Sequence, residues 1–150
     1  MRIAVGSDHA GFGLKQTLAA HLAASGHEVI DVGTHSTESV DYPEFGAAIG
    51  NAVVSGSAER GVGVCGSGIG ICIAANKVPG VRAATVHDVT SATFTRLHND
   101  ANVMCVGERF IGPQVALDAV DAFLATDFEG GRHGRRVAAI DALLPPSTTS

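Results

Sequence analysis

A parallel α/β fold is predicted by three features of this 150-residue sequence. Short runs rich in Val, Ile and Ala alternate with segments of helical period. The runs lack the apolar-polar alternation of a half-solvated sheet, and glycine or small polar residues follow most of them. Such strands suit a parallel sheet covered on both faces and reached through right-handed crossovers.

Arg2-Ile3-Ala4-Val5-Gly6-Ser7 reads as the first strand, and Leu14, Leu18 and Leu22 give the next segment a helical period. Val29 to Gly33 is the second strand; Tyr42-Pro43 then opens a helix with Phe45, Ile49 and Val53 on one face. Gly61 to Cys65 is the third strand, turned by Gly66-Ser67-Gly68-Ile69-Gly70 into an apolar helix that ends near Lys77, before Pro79-Gly80. Val81 to Val86 is a fourth strand, Val89 to Leu97 a helix, Val103 to Val106 a fifth strand and Gln114 to Leu124 a helix. A last helix, Arg132 to Leu144, starts basic and has no strand after it, which suits packing on a second subunit. The expected architecture is a Rossmann-like three-layer αβα sandwich with a five-stranded parallel sheet. One domain spans 1–144, with a flexible tail at 145–150.

Composition bounds the function. A 15.2 kDa chain buries roughly two-thirds of its unfolded surface, enough for one core. With 45% hydrophobic and 17% charged residues the chain is not disordered, and its 19 glycines follow no collagen period. No apolar run approaches the roughly 18 residues of a membrane span, and Met1-Arg2-Ile3 leads into a strand without a signal-peptide pattern, so a cytoplasmic location is expected. A net charge of -5 argues against general nucleic-acid binding. Yet eight of the ten basic residues are arginine, and Arg132, Arg135 and Arg136 cluster around His133. Arginine's planar fork matches phosphate or carboxylate, so a small anionic ligand is expected. Cys65, Cys72 and Cys105 lie in apolar stretches without zinc-site spacing, as reduced thiols would.

Ligands of an open parallel sheet sit beyond the carboxyl ends of its strands. The residues there are Ser7-Asp8-His9, Cys65-Gly66-Ser67-Gly68, His87-Asp88 and Arg109, with His98-Asn99-Asp100 ending the fourth helix. The Gly66–Gly70 loop can cradle an anion on backbone N–H groups and a helix N-terminus, or simply permit a tight turn; it matches neither the dinucleotide nor the Walker A pattern. Cys65 before that helix is placed to be a thiolate base or nucleophile, or else core, as Cys72 and Cys105 are read. Asp8 alone reads as a helix cap, His98 as a partner of the helix dipole, and His21, His27 and His35 as surface or loop residues. Arg132 and Arg136, four apart, share a helical face that either grips a phosphate or is merely solvated.

Taken together, Gly6-Ser7-Asp8-His9-Ala10-Gly11, Asp41-Tyr42-Pro43, Cys65-Gly66-Ser67-Gly68-Ile69-Gly70, Ala74-Ala75-Asn76-Lys77, His98-Asn99-Asp100-Ala101-Asn102 and Gly130-Gly131-Arg132-His133 resemble the ribose-5-phosphate isomerase B family over about residues 1–144. The resemblance implies isomerisation through a cis-enediolate, without metal or other cofactor. It implies Cys65 as the base between C1 and C2, Ser67 as a proton mover between the two oxygens, and the amides of Gly66, Gly68, Ile69 and Gly70 in the anion hole. It further implies His98 as the ring-opening group with Asp8 nearby, His9, Arg132 and Arg136 as phosphate ligands, Tyr42 lining the site, and Asn99 and Arg109 reaching in across a dimer interface. Ile71 stands where a second branch of the family has a glutamate, which marks this chain as the cysteine branch. Gly134 replaces a bulkier polar residue. The implied substrate pair is D-ribose 5-phosphate and D-ribulose 5-phosphate. The implied assembly is a homodimer with shared active sites, or a tetramer. The alternatives are isomerisation of another sugar phosphate (allose 6-phosphate, galactose 6-phosphate or a tetrulose 4-phosphate) and a non-catalytic phosphate-binding domain.

Overall fold

The computed structural model describes residues 1–143; the expected tail at 145–150 and the expected helix end at Leu144 lie outside them. Five strands, β1 (Arg2–Ser7), β2 (Glu28–Gly33), β3 (Arg60–Cys65), β4 (Ala83–Thr85) and β5 (Val103–Gly107), form one parallel sheet in the order β2-β1-β3-β5-β4. Six helices, α1 (Phe12–Ala24), α2 (Tyr42–Val54), α3 (Ile69–Ala75), α4 (Val89–Asn99), α5 (Pro113–Ala125) and α6 (Arg132–Asp141), alternate with and follow the strands.

The strands are apolar throughout because both faces are covered. On one face Ile3, Val5, Val62, Val64, Met104 and Val106 meet Leu14, Leu18 and Leu22 of α1, Ala92 of α4 and Phe123 of α5. On the other, Ala4, Cys65, Val103 and Cys105 meet Ile49 of α2 and Ile71, Cys72 and Ala75 of α3. This is the three-layer arrangement expected. From β1 the chain winds to β2 on one side and β3 on the other, so the switch point of the sheet lies between β1 and β3. Ligand crevices form at such points because the two connections diverge there.

Most boundaries fall within two residues of expectation, α3 ending at Ala75 and α4 at Asn99, and two elements differ by three residues in length. β4 spans three residues and not six, because it is an edge strand with one neighbour, and the backbone before it is diverted: Val81 N–H closes a turn on Val78 and Arg82 N–H bonds the Asn102 side chain. α6 ends at Asp141, with Ala142 as its cap residue. This helix buries only His133 and Val137 and packs on α4, so most of its surface faces solvent in the single chain.

One buried charge sets the loop before α2. Lys15 is fully buried and donates to both carboxylate oxygens of Asp31, each at 2.7 Å, and to Thr34 O at 2.6 Å. A buried ammonium persists only when paired in this way. The contact holds the exit of β2 against α1, from which residues 35–41 run back toward His9.

Candidate active site

At the switch point the ends of β1 and β3 line a cavity of about 320 Å³ with Asp8, His9, Ala10, Tyr42, Cys65, Gly66, Ser67, Gly70, Arg109 and Phe110. The size suits a small molecule.

Cys65 is the last residue of β3 and is buried, 4% exposed. Its Sγ accepts the Gly68 N–H at 3.1 Å. Gly68 adopts φ +77°, a left-handed turn that L side chains rarely enter, and α3 starts at the next residue. A Cβ at Gly68 would also stand 2.7 Å from the Val106 carbonyl carbon, so both conformation and space require glycine here. The turn lays the Gly68 N–H on the thiol, while the next N–H, of Ile69, turns to Ser67. Ser67 Oγ accepts the Ile69 N–H at 3.2 Å and lines the cavity beside Cys65.

Asp8 is both cap and cavity wall: its Oδ1 accepts the Gly11 N–H at 3.1 Å. His9 Nδ1 lies 3.1 Å from both the Val40 N and the Val40 O, which anchors the ring on the loop before α2. Tyr42, the first residue of α2, lies across Gly70, where an added Cβ would be 2.6 Å from Tyr42 Cζ. Arg109, expected from across an interface, lines the cavity of its own chain; its backbone N–H bonds Gly66 O at 3.0 Å and Glu108 N–H bonds Cys65 O at 3.0 Å. The β5 loop is thereby zipped to the β3 loop.

The remaining expected residues lie elsewhere in the single chain. His98, on the last turn of α4, stacks on His133 of α6 with ring centroids 4.3 Å apart and does not line the Cys65 cavity with Asp8. Arg132 and Arg136 are exposed on α6, with Arg132 Nε 3.4 Å from His133 Nε2. Asn99 lines a separate hollow with Arg82, Ala84 and Ile140. The two groups are separated because α4 runs back against the strand direction, so its last turn, with α6 packed on it, lies by Arg82 at the amino end of the sheet, whereas Cys65 ends β3 at the carboxyl end.

Three acidic or thiol features were not foreseen. Glu108 Oε2 accepts the Leu14 N–H at 2.9 Å and so ties the Arg109 loop to the start of α1. Glu129 Oε2 lies 3.8 Å from His98 Nε2 and 3.7 Å from His133 Nε2. Its i,i+4 spacing to His133 was visible in the sequence, but the intervening Gly130-Gly131 hid it by suggesting a break. Cys72 and Cys105, read as inert, share a hydrogen bond that holds Cys72 down at about 7 and, with burial, pushes Cys105 well above the usual thiol range.

Burial, with His98 and Arg132 beside it, holds His133 below the ordinary imidazole value of 6.5. The unfolded chain therefore takes up that proton first as the pH falls. The contribution of neutral His133 is present above about 6.5 and lost below it. Urea midpoints measured from about pH 8 down to 5 should accordingly fall more steeply in the natural chain than in His133→Gln. Equal slopes would clear His133 of the acid loss.

A sequence profile described as Ribose/Galactose Isomerase matches residues 3–140. The chain is 47% identical over 142 residues to ribose-5-phosphate isomerase B of Escherichia coli (strain K12), covering 95% of each chain. It is similar to the structure of Clostridium thermocellum ribose-5-phosphate isomerase B, with a TM-score of 0.94, 52% identity and coverage of 95% of this chain and 97% of that one. It is also similar to the Mycoplasma genitalium ribose-5-phosphate isomerase B structure with bound ribulose-5-phosphate, with a TM-score of 0.90, 39% identity and 94% of each chain covered. Among the described residues no helix is long and apolar enough to cross a membrane.

Proposed function

This chain belongs to the ribose/galactose isomerase family, and from that premise we propose that it interconverts D-ribose 5-phosphate and D-ribulose 5-phosphate through a cis-enediolate, with Cys65 as the base. The observation that carries the reading is the placing of the Cys65 thiol against the Gly68 N–H, on a cavity it shares with Asp8, His9, Ser67 and Arg109. A thiolate there takes the proton from C2 of the open-chain aldose and returns it to C1, while Ser67 relays the proton between the two oxygens. Loop amides face the oxygen that gains charge. Fixed donors of this kind contribute about 3 kcal/mol each, and a positioned base about 100-fold or more in rate. The proton moves and the electrons rearrange within the sugar, so the balance calls for no redox cofactor.

His98 opens the furanose ring, and His9, Arg132 and Arg136 hold the phosphate. His98, Asn99, Arg132 and Arg136 lie outside the Cys65 cavity of their own chain, so the complete site is assembled from two copies. One supplies the thiol, the loop, His9 and Arg109, and its partner supplies the ends of α4 and α6. Exposed Ile69 and Ile73 on α3, Phe94 on α4 and Phe110 after β5 offer apolar surface for that association.

Turnover of ribose 5-phosphate, allose 6-phosphate, galactose 6-phosphate and erythrulose 4-phosphate, measured side by side, tests the proposal. The pentose should be preferred; no activity on ribose 5-phosphate would sink the substrate assignment, and none on any of the four would sink the reaction class.

A further inference from the structure

His98, Glu129 and His133 gather at the junction of α4 and α6, outside the cavity that holds Cys65. One donor atom of each lies within 4.8 Å of the others, the only such trio of His, Cys, Asp or Glu among the described residues. Glu129 Oε2 is 3.8 Å from His98 Nε2 and 3.7 Å from His133 Nε2, so both imidazoles face one carboxylate oxygen. Neither distance is a hydrogen bond. Two imidazole nitrogens and a carboxylate are the donor set of a zinc-type ion, whose ligands sit about 2.0–2.2 Å from the metal. Ligands of a tetrahedral ion then lie about 3.3 Å apart, so the carboxylate closes by roughly 0.5 Å on each ring, and the His98 ring, stacked 12° from parallel on His133, turns out of the stack to aim its lone pair at the same ion.

The parts that must move are free to do so. The Glu129 and His98 side chains are 55% and 35% exposed and can turn, whereas His133 is buried and provides the fixed ligand. Arg132 Nε–H points at His133 Nε2 from 3.4 Å, which identifies that nitrogen as the one with the free lone pair. Arg132 must swing away into solvent to admit a cation. The nearby Arg132 and Arg136 also oppose the ion's charge, so the site binds more weakly than a closed structural zinc site.

We propose that His98, Glu129 and His133 bind a divalent transition ion of the zinc class, and that the bound ion inhibits isomerisation by occupying the imidazole of His98. The inhibitory half rests on the ring-opening role given to His98; the binding half does not.

Co2+ titrated into the substrate-free protein, followed by its visible absorption and by calorimetry, should bind at one ion per chain and be displaced by Zn2+. Glu129→Gln and His133→Gln should each weaken binding at least tenfold. In imidazole NMR of the natural chain, Zn2+ should shift His98 and His133 and leave His9 unmoved, a readout that stands even if the buried His133→Gln variant fails to fold. Absence of binding, or binding that survives both substitutions, overturns the site. Full turnover of ribose 5-phosphate with the ion bound overturns the inhibition alone. Loss of turnover in the ion-free protein counts instead against the isomerase reading and leaves the site standing.

Discussion

Replacing Cys65 by alanine is expected to abolish isomerisation and the exchange of the substrate C2 proton with solvent, while binding of inorganic phosphate and thermal stability stay close to those of the natural chain. The thiol is the proposed base and makes one side-chain hydrogen bond, to the Gly68 N–H. Its truncation therefore removes the proton acceptor and leaves the proposed phosphate ligands His9, Arg132 and Arg136 in place. A positioned base contributes about 100- to 10,000-fold, so the residual rate should lie at least two orders of magnitude below the natural one. Cys65→Ser separates base strength from packing. It keeps a small polar atom facing Gly68 but is a far weaker base, and it should be nearly as inactive as the alanine variant. Exchange of the C2 proton at the natural rate in Cys65→Ala would exclude the thiol as base.

Gly107→Ala should damage both stability and activity, although residue 107 does not line the cavity. Gly107 ends β5 and is paired with Cys65 in the sheet. A Cβ at 107 would stand 2.8 Å from Ser67 Cα and press on the Ser67 carbonyl, which is backbone and cannot swing aside. Overpacking of this kind costs about 1–3 kcal/mol. Relief has to come from the Gly66–Gly68 turn, and a displacement of about 1 Å in catalytic geometry can cost about 100-fold in rate. The expected result is a lower urea midpoint together with a fall in kcat that exceeds the rise in KM. A variant with natural kcat would mean that the turn absorbs the methyl group without moving the thiol or the loop amides.

The strand-helix alternation was legible because strands buried on both faces must be apolar without alternation, and helices covering them must repeat every three or four residues. Leu14, Leu18 and Leu22 and the run Val103 to Val106 show this directly. Edge position was not legible: Val81 and Arg82 look like strand, and only their turn and side-chain bonds withdraw them from β4. In the candidate site, Asp8, His9, Cys65, Ser67 and Arg109 were found by one rule, that ligands sit beyond the carboxyl ends of parallel strands, and they share a cavity. Glu108 and Glu129 escaped because their partners are remote in sequence or stand across a pair of glycines.

The sequence by itself determined the fold class, the thiol at the end of β3 and the glycine turn beside it. These follow from local rules: period, turn chemistry and the exit of a strand into a helix. Only the tertiary structure decided which candidates stand together. The strand order β2-β1-β3-β5-β4 brings the ends of β1 and β3 side by side, adds Arg109 from β5, and sets His98 and α6 apart around Glu129. Strand order is set by the packing of whole faces and not by any residue's neighbours in the chain, so it carries no local signature to read.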